Sequence, residues 1–324
     1  MDARILAALR NSAEAPLSGM DLAQLLGISR AAVWARIESL RQSGFGIEAS
    51  PHTGYRLVQT PEALHADDLR SRLPESAVIG ARIHVLGETS STNDMLEERA
   101  RQGAPEGTVV FAESQTRGRG RLGRVWHSPP GQGLWFSVLL RPKIQPQAVT
   151  RITIATASGA ARALTLEAGI PIRIKWPNDL MIESRKVGGI LTELSAETDG
   201  VKHVIVGIGI DVNQSAADFP PEVRKIATSL SLATGQKIDR ARLASVLLRE
   251  LDADYARLRE GRFSEVAEEW EEQCSTLGRL VRIETGGRRL IGVAESIDAE
   301  GALLVRTEHG HLERVIGGDV ALEK

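Results

Sequence analysis

Four arginines and three glycines alternate within residues 113–126, E-S-Q-T-R-G-R-G-R-L-G-R-V-W. A guanidinium group is planar and always charged, and its N–H donors match the oxygens of carboxylates and phosphates. Glycine has no Cβ, so the backbone N–H groups beside it can approach a ligand closely. No acidic residue follows Glu113 before Leu140. We therefore expect this stretch to bind an anion; a solvated basic loop or an RNA-binding tail is the alternative.

A second cationic segment lies downstream, where Lys186 precedes the glycine pair 188–189. A lysine beside glycines places an ammonium group where the backbone can approach a phosphate. Gly207 and Gly209 stand two residues apart in an apolar run that is typical of a strand, so both lie on one of its faces. That face is predicted to be open to a flat apolar ligand, and a crossing helix that fills the space is the alternative.

Two polar segments fall between predicted regular elements. Ser91, Thr92 and Asn93 follow a predicted strand at 83–86 and precede a predicted helix. Such a run is usually a plain helix N-cap. Asp179 closes a Pro-Asn-Asp turn between two predicted strands, where an aspartate most often bonds its own backbone. In both segments the alternative is a side chain that faces a ligand pocket.

These segments need a folded scaffold to bring them together. Strand-like runs at 108–112 and 134–140 bracket the arginine-glycine stretch, which a disordered basic tail lacks. A long helix is predicted over 149–168, and Asp239 can cap another. Further strands are predicted at 172–174, 190–194 and 204–210.

The composition limits the possible classes of protein. The chain has 324 residues, enough for about two or three domains. Its 40 basic and 42 acidic side chains nearly cancel, which excludes a global field that recruits nucleic acid, so any basic site is local. The single cysteine, Cys274, excludes an intramolecular disulfide. With no predicted leader and no run long enough to span a membrane, we expect a cytoplasmic protein.

Residues 1–60 have the pattern of a winged helix-turn-helix. Ser18 and Ser29 can cap two helices that are joined at Gly27, and a hairpin is predicted over 46–58. We expect DNA binding, and a three-helix module that binds protein is the alternative. The candidate DNA-binding residues lie on the second of these helices and in the wing: Ser29, Arg30, Ala31, Trp34, Arg36, Arg41 and His52.

The last fifty residues form short alternating segments separated by turns. The segments predict a small β domain over 275–324, which leaves 61–274 as the candidate catalytic domain. The four predicted strands are 280–283, 290–294, 303–306 and 311–316.

Four motifs occur in the order and spacing of biotin–protein ligases, and residues 80–324 resemble that family throughout. The motifs are S-S-T-N, Q-T-R-G-R-G-R-L-G-R-V-W, K-W-P-N-D and R-K-V-G-G-I-L-T-E. With the N-terminal module, the chain resembles the bifunctional members that also repress the biotin operon. The resemblance implies an α+β protein with a winged helix-turn-helix (1–60), a mixed-sheet α/β ligase domain of the biotin/lipoate ligase type (61–274) and an SH3-like β-barrel (275–324).

The resemblance implies a reaction in two steps. Biotin and ATP would form biotinyl-5′-adenylate and pyrophosphate, and a lysine of a biotin carboxyl-carrier domain would then attack the adenylate. Magnesium that arrives with ATP is the only metal we expect, because the histidines and the cysteine lack metal-ligand spacing. No tightly bound protein metal and no membrane partner are expected.

The resemblance also implies residue roles. Arg121, Lys186 and Asp179 would be catalytic, with Asp179 positioning or deprotonating the acceptor lysine. Arg119 and Arg121 would enclose the carboxylate and the phosphate, and Trp126 would help to wall the pocket. The remaining residues expected to bind biotin or the adenylate are Ser91, Thr92, Asn93, Gln115, Gly118, Gly120, Gly189, Gly207 and Gly209. Contacts to adenine are left open.

The resemblance further implies a loop at 117–124 that closes over the adenylate, and a homodimer that places two winged modules on operator DNA. Two other functions are alternatives. One is a non-catalytic winged-helix regulator that senses a small carboxylic acid, and the other is a lipoate–protein ligase.

Overall fold

The structure is a computed structural model that describes residues 1–12, 15–50, 54–197, 200–285 and 287–322. His52, one of the candidate DNA-binding residues, lies outside the described residues. None of the helices in the described part of the chain is both long enough and apolar enough to cross a bilayer.

The N-terminal unit is a helix-turn-helix with a wing, as predicted. Ser18 accepts a hydrogen bond from Asp21 N and Ser29 accepts one from Ala32 N, so both serines cap helices. Gly27 ends the first of these helices at φ 66°, in the left-handed conformation that glycine adopts readily. The elements are α1 (Asp2–Asn11), α2 (Gly19–Leu26), α3 (Arg30–Gln42), β1 (Gly46–Ser50) and β2 (Gly54–Gln59).

The central unit is built on a seven-stranded mixed sheet in the order β3-β4-β5-β9-β8-β7-β6. Strands β3 and β4 are parallel, and every other neighbouring pair is antiparallel. The strands are β3 (Arg82–Thr89), β4 (Thr108–Gln115), β5 (Gly133–Leu140), β6 (Arg173–Lys175), β7 (Asp179–Ile182), β8 (Arg185–Glu197) and β9 (Gly200–Asp211). The helices are α4 (Ala66–Ser71), α5 (Thr92–Arg101), α6 (Thr150–Ala168), α7 (Leu230–Thr234), α8 (Arg240–Arg259) and α9 (Phe263–Gln273).

Alternation along β9 gives the sheet one face that packs on the main core and an opposite face. Val206, Ile208 and Ile210 join the main core beneath the long helices α6 and α8. On the opposite face Ile205 packs with Leu96 of α5. The same face continues as Gly207, Gly209 and Asp211, which places the candidate site opposite the core.

The C-terminal unit is a five-stranded antiparallel sheet in the order β13-β12-β11-β10-β14. It contains the four predicted strands and a fifth one. Closure of this sheet into an SH3-like barrel stays a prediction. The strands are β10 (Leu280–Thr285), β11 (Arg288–Ile297), β12 (Leu303–Thr307), β13 (Leu312–Val315) and β14 (Asp319–Leu322).

Buried ion pairs hold the units together. Arg10 of α1 and Arg72, just after α4, both bind the carboxylate of Asp68, which is 2% exposed. At the start of α8, Arg240 pairs with Glu113 at 2.7 Å and donates to Glu62 O in the linker. These contacts join the winged module and its linker to the central unit.

Candidate active site

The arginine-glycine stretch forms a short irregular hairpin rather than an unstructured tail. Trp126 N donates to Gly118 O at 2.9 Å, and Gly120 N donates to Arg124 O at 2.7 Å. A Cβ at Gly118 would lie 2.4 Å from Trp126 O, so this close crossing of the two arms requires glycine. The hairpin lies beside the face of the sheet opposite the main core, where its Trp126 contacts Gly209.

Arg121 extends from the hairpin to the Pro-Asn-Asp turn at residues 177–179. Its Nη1 donates to Asn178 Oδ1 at 3.0 Å, and its Nη2 donates to Gly318 O of the C-terminal unit at 3.3 Å. Asn178 is itself fixed, because its Nδ2 donates to Ile190 O and its carbonyl accepts from Ile190 N. The sequence predicted a small C-terminal β domain but no contact between that domain and the candidate catalytic arginine.

Lys186 lies at the same turn. Its Nζ donates to Asp179 Oδ1 at 2.5 Å, and Asp179 directly follows the asparagine that holds Arg121. A Cβ at Gly189 would lie 3.2 Å from Lys186 Nζ, so the glycine leaves room for the ammonium group to lie against β8. Arg121 and Lys186 therefore bind two consecutive residues of one turn. The region around this turn, between the hairpin and β8, is called the cleft below.

The two strand glycines do not face empty space. A Cβ at Gly207 would lie 2.4 Å from Asn93 Oδ1, and a Cβ at Gly209 would lie 2.6 Å from the indole of Trp126. The prediction of an open face is therefore wrong for this structure. The chain's own side chains cover it, because a flat indole packs well on a surface without Cβ atoms. Lys186 Nζ lies 5.3 Å from the centroid of the Trp126 ring, a cation–π contact.

Buried polar side chains form a hydrogen-bonded chain along the start of α5. Gln115 Oε1 accepts from Thr92 N at 2.9 Å, and Gln115 Nε2 donates to Ser128 Oγ at 2.9 Å. Ser137 Oγ lies 2.5 Å from Asn93 Oδ1 and 2.7 Å from Thr92 Oγ1. Thr92 and Asn93 therefore belong to a buried polar network.

The neighbouring Ser91 is the N-cap residue of α5, but its side chain makes no capping hydrogen bond. Ser91 is buried together with Thr92 and Asn93. The plain N-cap interpretation therefore does not explain why a serine stands there.

Arg119 turns away from Arg121, toward α5. Its Nη1 donates to Asp94 Oδ1 at 2.6 Å, and its Nη2 donates to Glu193 Oε1 at 3.2 Å. Burial alone would lower the pKa of Arg119, but the hydrogen bonds and charges of Asp94 and Glu193 raise it above its usual range. Residues 114–126 lack acidic side chains, and other segments of the chain supply the counter-charges of Arg119.

Asp211 is a further candidate site residue, which was not predicted from the sequence. It follows Gly207 and Gly209 on the same face of β9 and is 6% exposed. Burial raises its pKa well above the usual range, against the opposing effects of the Lys186 charge and of a hydrogen bond from Gln214. The strand alternation that singled out the glycines also points to this carboxyl.

Ser137 and Glu193 were missed as well. Ser137 is the one hydroxyl in the apolar strand G-L-W-F-S-V-L-L, and it is completely buried. Glu193 lies on β8 and accepts from Asn93 Nδ2 at 2.7 Å. A polar residue within an otherwise apolar strand could have been recognised for Ser137, but β8 carries several polar residues and gave no such signal for Glu193.

The candidate DNA-binding residues separate into two groups. Ser29, Arg30, Ala31, Trp34 and Arg36 are exposed on or beside α3, and Trp34 is 59% exposed. Arg41 is used internally instead, because its Nε and Nη2 donate to Ile47 O of the wing. It therefore fixes the wing to α3.

Three family patterns cover most of the chain. The biotin/lipoate A/B protein ligase family matches residues 86–211, an HTH domain matches 3–56 and the biotin protein ligase C terminal domain matches 276–322. The cleft described above lies within these matched regions.

Known proteins match the chain over nearly its whole length. The bifunctional ligase/repressor BirA of Bacillus subtilis is 41% identical over 306 residues, which covers 94% of each chain. The protein of the same name from Escherichia coli is 32% identical over 305 residues, 94% of this chain and 92% of that one. A biotin protein ligase from Aquifex aeolicus in complex with biotin and ATP superposes with a TM-score of 0.66 at 32% identity, over 75% of this chain and 99% of that one. The chain therefore belongs to the biotin–protein ligase family, among its bifunctional ligase/repressor members.

Proposed function

We propose that the protein joins biotin to ATP as biotinyl-5′-adenylate and then transfers the biotinyl group to a lysine of a carboxyl-carrier protein. The observation that carries this proposal is the convergence of Arg121 and Lys186 on one cleft beside a glycine-lined face of the sheet. Its relatives are bifunctional ligase/repressor proteins, and a biotin protein ligase of similar fold forms a complex with biotin and ATP.

The first step needs cations on both sides of one phosphorus atom. Biotin's carboxylate and the α-phosphate of ATP repel each other, and negative charge grows on the phosphate as the acyl-phosphate bond forms. Arg121, held by Asn178, supplies a planar fork from the hairpin side. Lys186, held by Asp179, supplies a point charge from the sheet. Fixed donors of this kind stabilise the transition state without reorganising.

The buried polar network supplies recognition of the biotin ring. Thr92, Asn93 and Gln115 present hydroxyl and amide groups beside the glycine-lined face. The ureido group of biotin needs donors and acceptors of this kind, and its fused ring system needs the apolar surface next to them. Trp126 lies on that surface, so we propose that it moves to admit the ring and then walls the pocket.

The second step requires a base or a positioning group for the acceptor lysine. Asp179 is our candidate, because its carboxylate faces the cleft and already holds one ammonium group. We propose that magnesium enters with ATP and that closure of loop 117–124 keeps water from the reactive adenylate.

A mass measurement on a carrier domain tests the ligase function. The domain is incubated with the protein, biotin and Mg-ATP, and we expect a mass gain of one biotinyl group. The gain should disappear with Lys186→Ala or Arg121→Gly. Arg101→Ala is the control, since it removes an exposed arginine that pairs with Glu97 on α5 outside the proposed site, and it should retain the gain. A lipoyl gain from lipoic acid, with no biotinyl gain, would support the lipoate alternative instead.

We further propose that the winged module binds operator DNA as an adenylate-dependent homodimer. The exposed face of α3 carries Arg30 and Trp34, and two such modules on one dimer would read a site with two-fold symmetry. The test selects bound duplexes from a random-sequence pool with biotin and ATP present. Arg30→Ala with Trp34→Ala should abolish enrichment and leave carrier biotinylation unchanged. A monomer in sedimentation with adenylate and the selected duplex would contradict the dimer.

A further inference from the structure

We infer that Asp94 and Glu193 set the affinity for the acid substrate by holding Arg119 until a ligand carboxylate displaces it. The inference rests on the proposed function, because it requires an anionic ligand for this arginine. It assigns a role to two acidic residues that lie outside the arginine-glycine motif.

The contacts define a competition for one guanidinium. Arg119 Nη1 lies 2.6 Å from Asp94 Oδ1, and Nη2 lies 3.2 Å and 3.4 Å from the two oxygens of Glu193. The two carboxylates come from different elements, α5 and β8, and together occupy both ends of the fork. The trio carries a net charge of −1, so an incoming carboxylate meets repulsion until one acidic residue releases the arginine.

The two acidic residues are not equivalent. Glu193 Oε2 also accepts from Asn93 Nδ2 at 2.7 Å, so Glu193 keeps a partner inside the polar network when Arg119 leaves. In the described structure Asp94 has Arg119 as its ion-pair partner, and its side chain is 43% exposed. Asp94 is therefore the residue that returns to water when the ligand binds.

The exposure of these groups limits the size of the effect. Arg119 is 39% exposed and Glu193 is 41% exposed, and ion pairs at such positions are screened by solvent. We expect removal of the Asp94 charge to strengthen biotin binding by about two- to fivefold. This increase in affinity should require both Arg119 and a ligand that carries a carboxylate.

The experiment is a calorimetric titration of the full-length protein with biotin, without ATP. Asp94→Asn keeps the side-chain shape and should lower the Kd for biotin by about two- to fivefold. The same variant should bind biotinol, which carries a hydroxyl in place of the carboxylate, with unchanged affinity. In an Arg119→Gln background, Asp94→Asn should no longer change biotin binding, as expected for coupled residues.

Two further variants control for charge and folding. Glu98→Gln removes an equal charge from α5 at a side chain bound to Gln102, and it should leave both affinities unchanged. Glu193→Gln should also strengthen binding of biotin over biotinol, which makes the inference testable if Asp94→Asn folds poorly.

Each outcome has a definite meaning. An unchanged or weaker affinity of Asp94→Asn for biotin, or an equal gain for biotinol, would overturn the inference and leave the proposed function intact. If the wild-type protein binds no biotin, the proposed function fails and takes this inference with it.

Discussion

The cleft and the helical layer behind the sheet both place arginines between carboxylates, with opposite consequences. Behind the sheet, Arg162 of α6 binds Glu250, Asp254 and Glu269 at 2.6–3.0 Å, and Arg257 binds Asp254 and Glu269 again. Asp254 is fully buried, and three helices meet in this network. Asp254 is therefore enclosed by this network, while Glu250 and Glu269 at its edge are partly exposed.

In the cleft the cations are more exposed than Arg162 and Arg257, whose side chains are 26% and 17% exposed, and in the described structure Arg119 binds two carboxylates where Arg162 binds three. Lys186 is 32% exposed and lies beside Gly189, and Arg119 is 39% exposed. Such ions can exchange a carboxylate of the chain for one of a ligand. Burial and the number of partners therefore separate a structural arginine from one that can act on substrate, and residue type alone does not.

The largest expected effect is that a substitution in the cleft lowers activity without lowering stability, while a substitution behind the sheet does the reverse. Lys186→Ala should lower biotin-dependent pyrophosphate release by about 10²-fold or more and change the free energy of unfolding by less than about 1 kcal/mol. Arg162→Ala should destabilise the protein by about 2–4 kcal/mol, because the buried carboxylate of Asp254 loses an ion-pair partner. It should leave kcat nearly unchanged.

Urea unfolding measures the free energy of unfolding of each variant, and pyrophosphate release measures its activity. Arg262→Ala, which breaks exposed pairs with Glu260 and Glu265, is the matched control and should cost less than about 1 kcal/mol. A large loss of kcat in a fully folded Arg162→Ala variant would show that the network behind the sheet also contributes to activity, which would contradict the comparison.

Filling the glycine-lined face should have the next largest effect. Gly209→Val places methyl groups where the indole lies, so we expect the KM for biotin to rise by about tenfold or more while the strand stays intact. Gly87→Val is the control, since a Cβ at Gly87 of β3 meets no atom within 4 Å. Equal KM values for the two variants would show that biotin does not use this face.

Closure of the hairpin should be visible in amide exchange. We expect residues 117–124 to exchange about tenfold more slowly when biotin and ATP are added, because the clamped loop opens less often. Amides of α3 in the winged module are the internal reference. Exchange that does not change in the loop would contradict loop closure.

The smallest expected effect concerns pH. Burial raises the pKa of Asp211 above its unfolded value, so the folded protein binds this proton more tightly than the unfolded chain does. This group therefore lowers stability progressively as pH rises from the unfolded pKa through the raised one. Asp211→Asn should remove that loss and make the protein more stable than wild type at neutral pH. Denaturant titrations at several pH values measure it, and a parallel pH profile in both proteins would contradict it.

Local features of the fold could be predicted from the sequence. Ser18, Ser29 and Asp239 cap helices in the structure as expected, because capping needs only a few consecutive residues. The strands that bracket the arginine-glycine stretch were predicted for a similar reason, since their apolar runs are continuous.

Features that depend on distant pairing could not be predicted. Asn93 and Glu193 meet although a hundred residues separate them, and only the order of strands in the sheet brings α5 beside β8. The same applies to Arg121 and Gly318, which belong to different domains. The occupation of the glycine-lined face by Trp126 depends on how the hairpin folds back, which no local pattern specifies.

The central claim is that Arg121 and Lys186 act on a single acyl-phosphate. Biotin-dependent exchange of pyrophosphate into ATP, measured for wild type, Arg121→Gly, Lys186→Ala and the double variant, tests it most directly. Groups that act as a unit give losses that do not multiply, so the double variant should be about as slow as the slower single variant. Losses that multiply would contradict the claim, because they would mean that the two cations act on separate events.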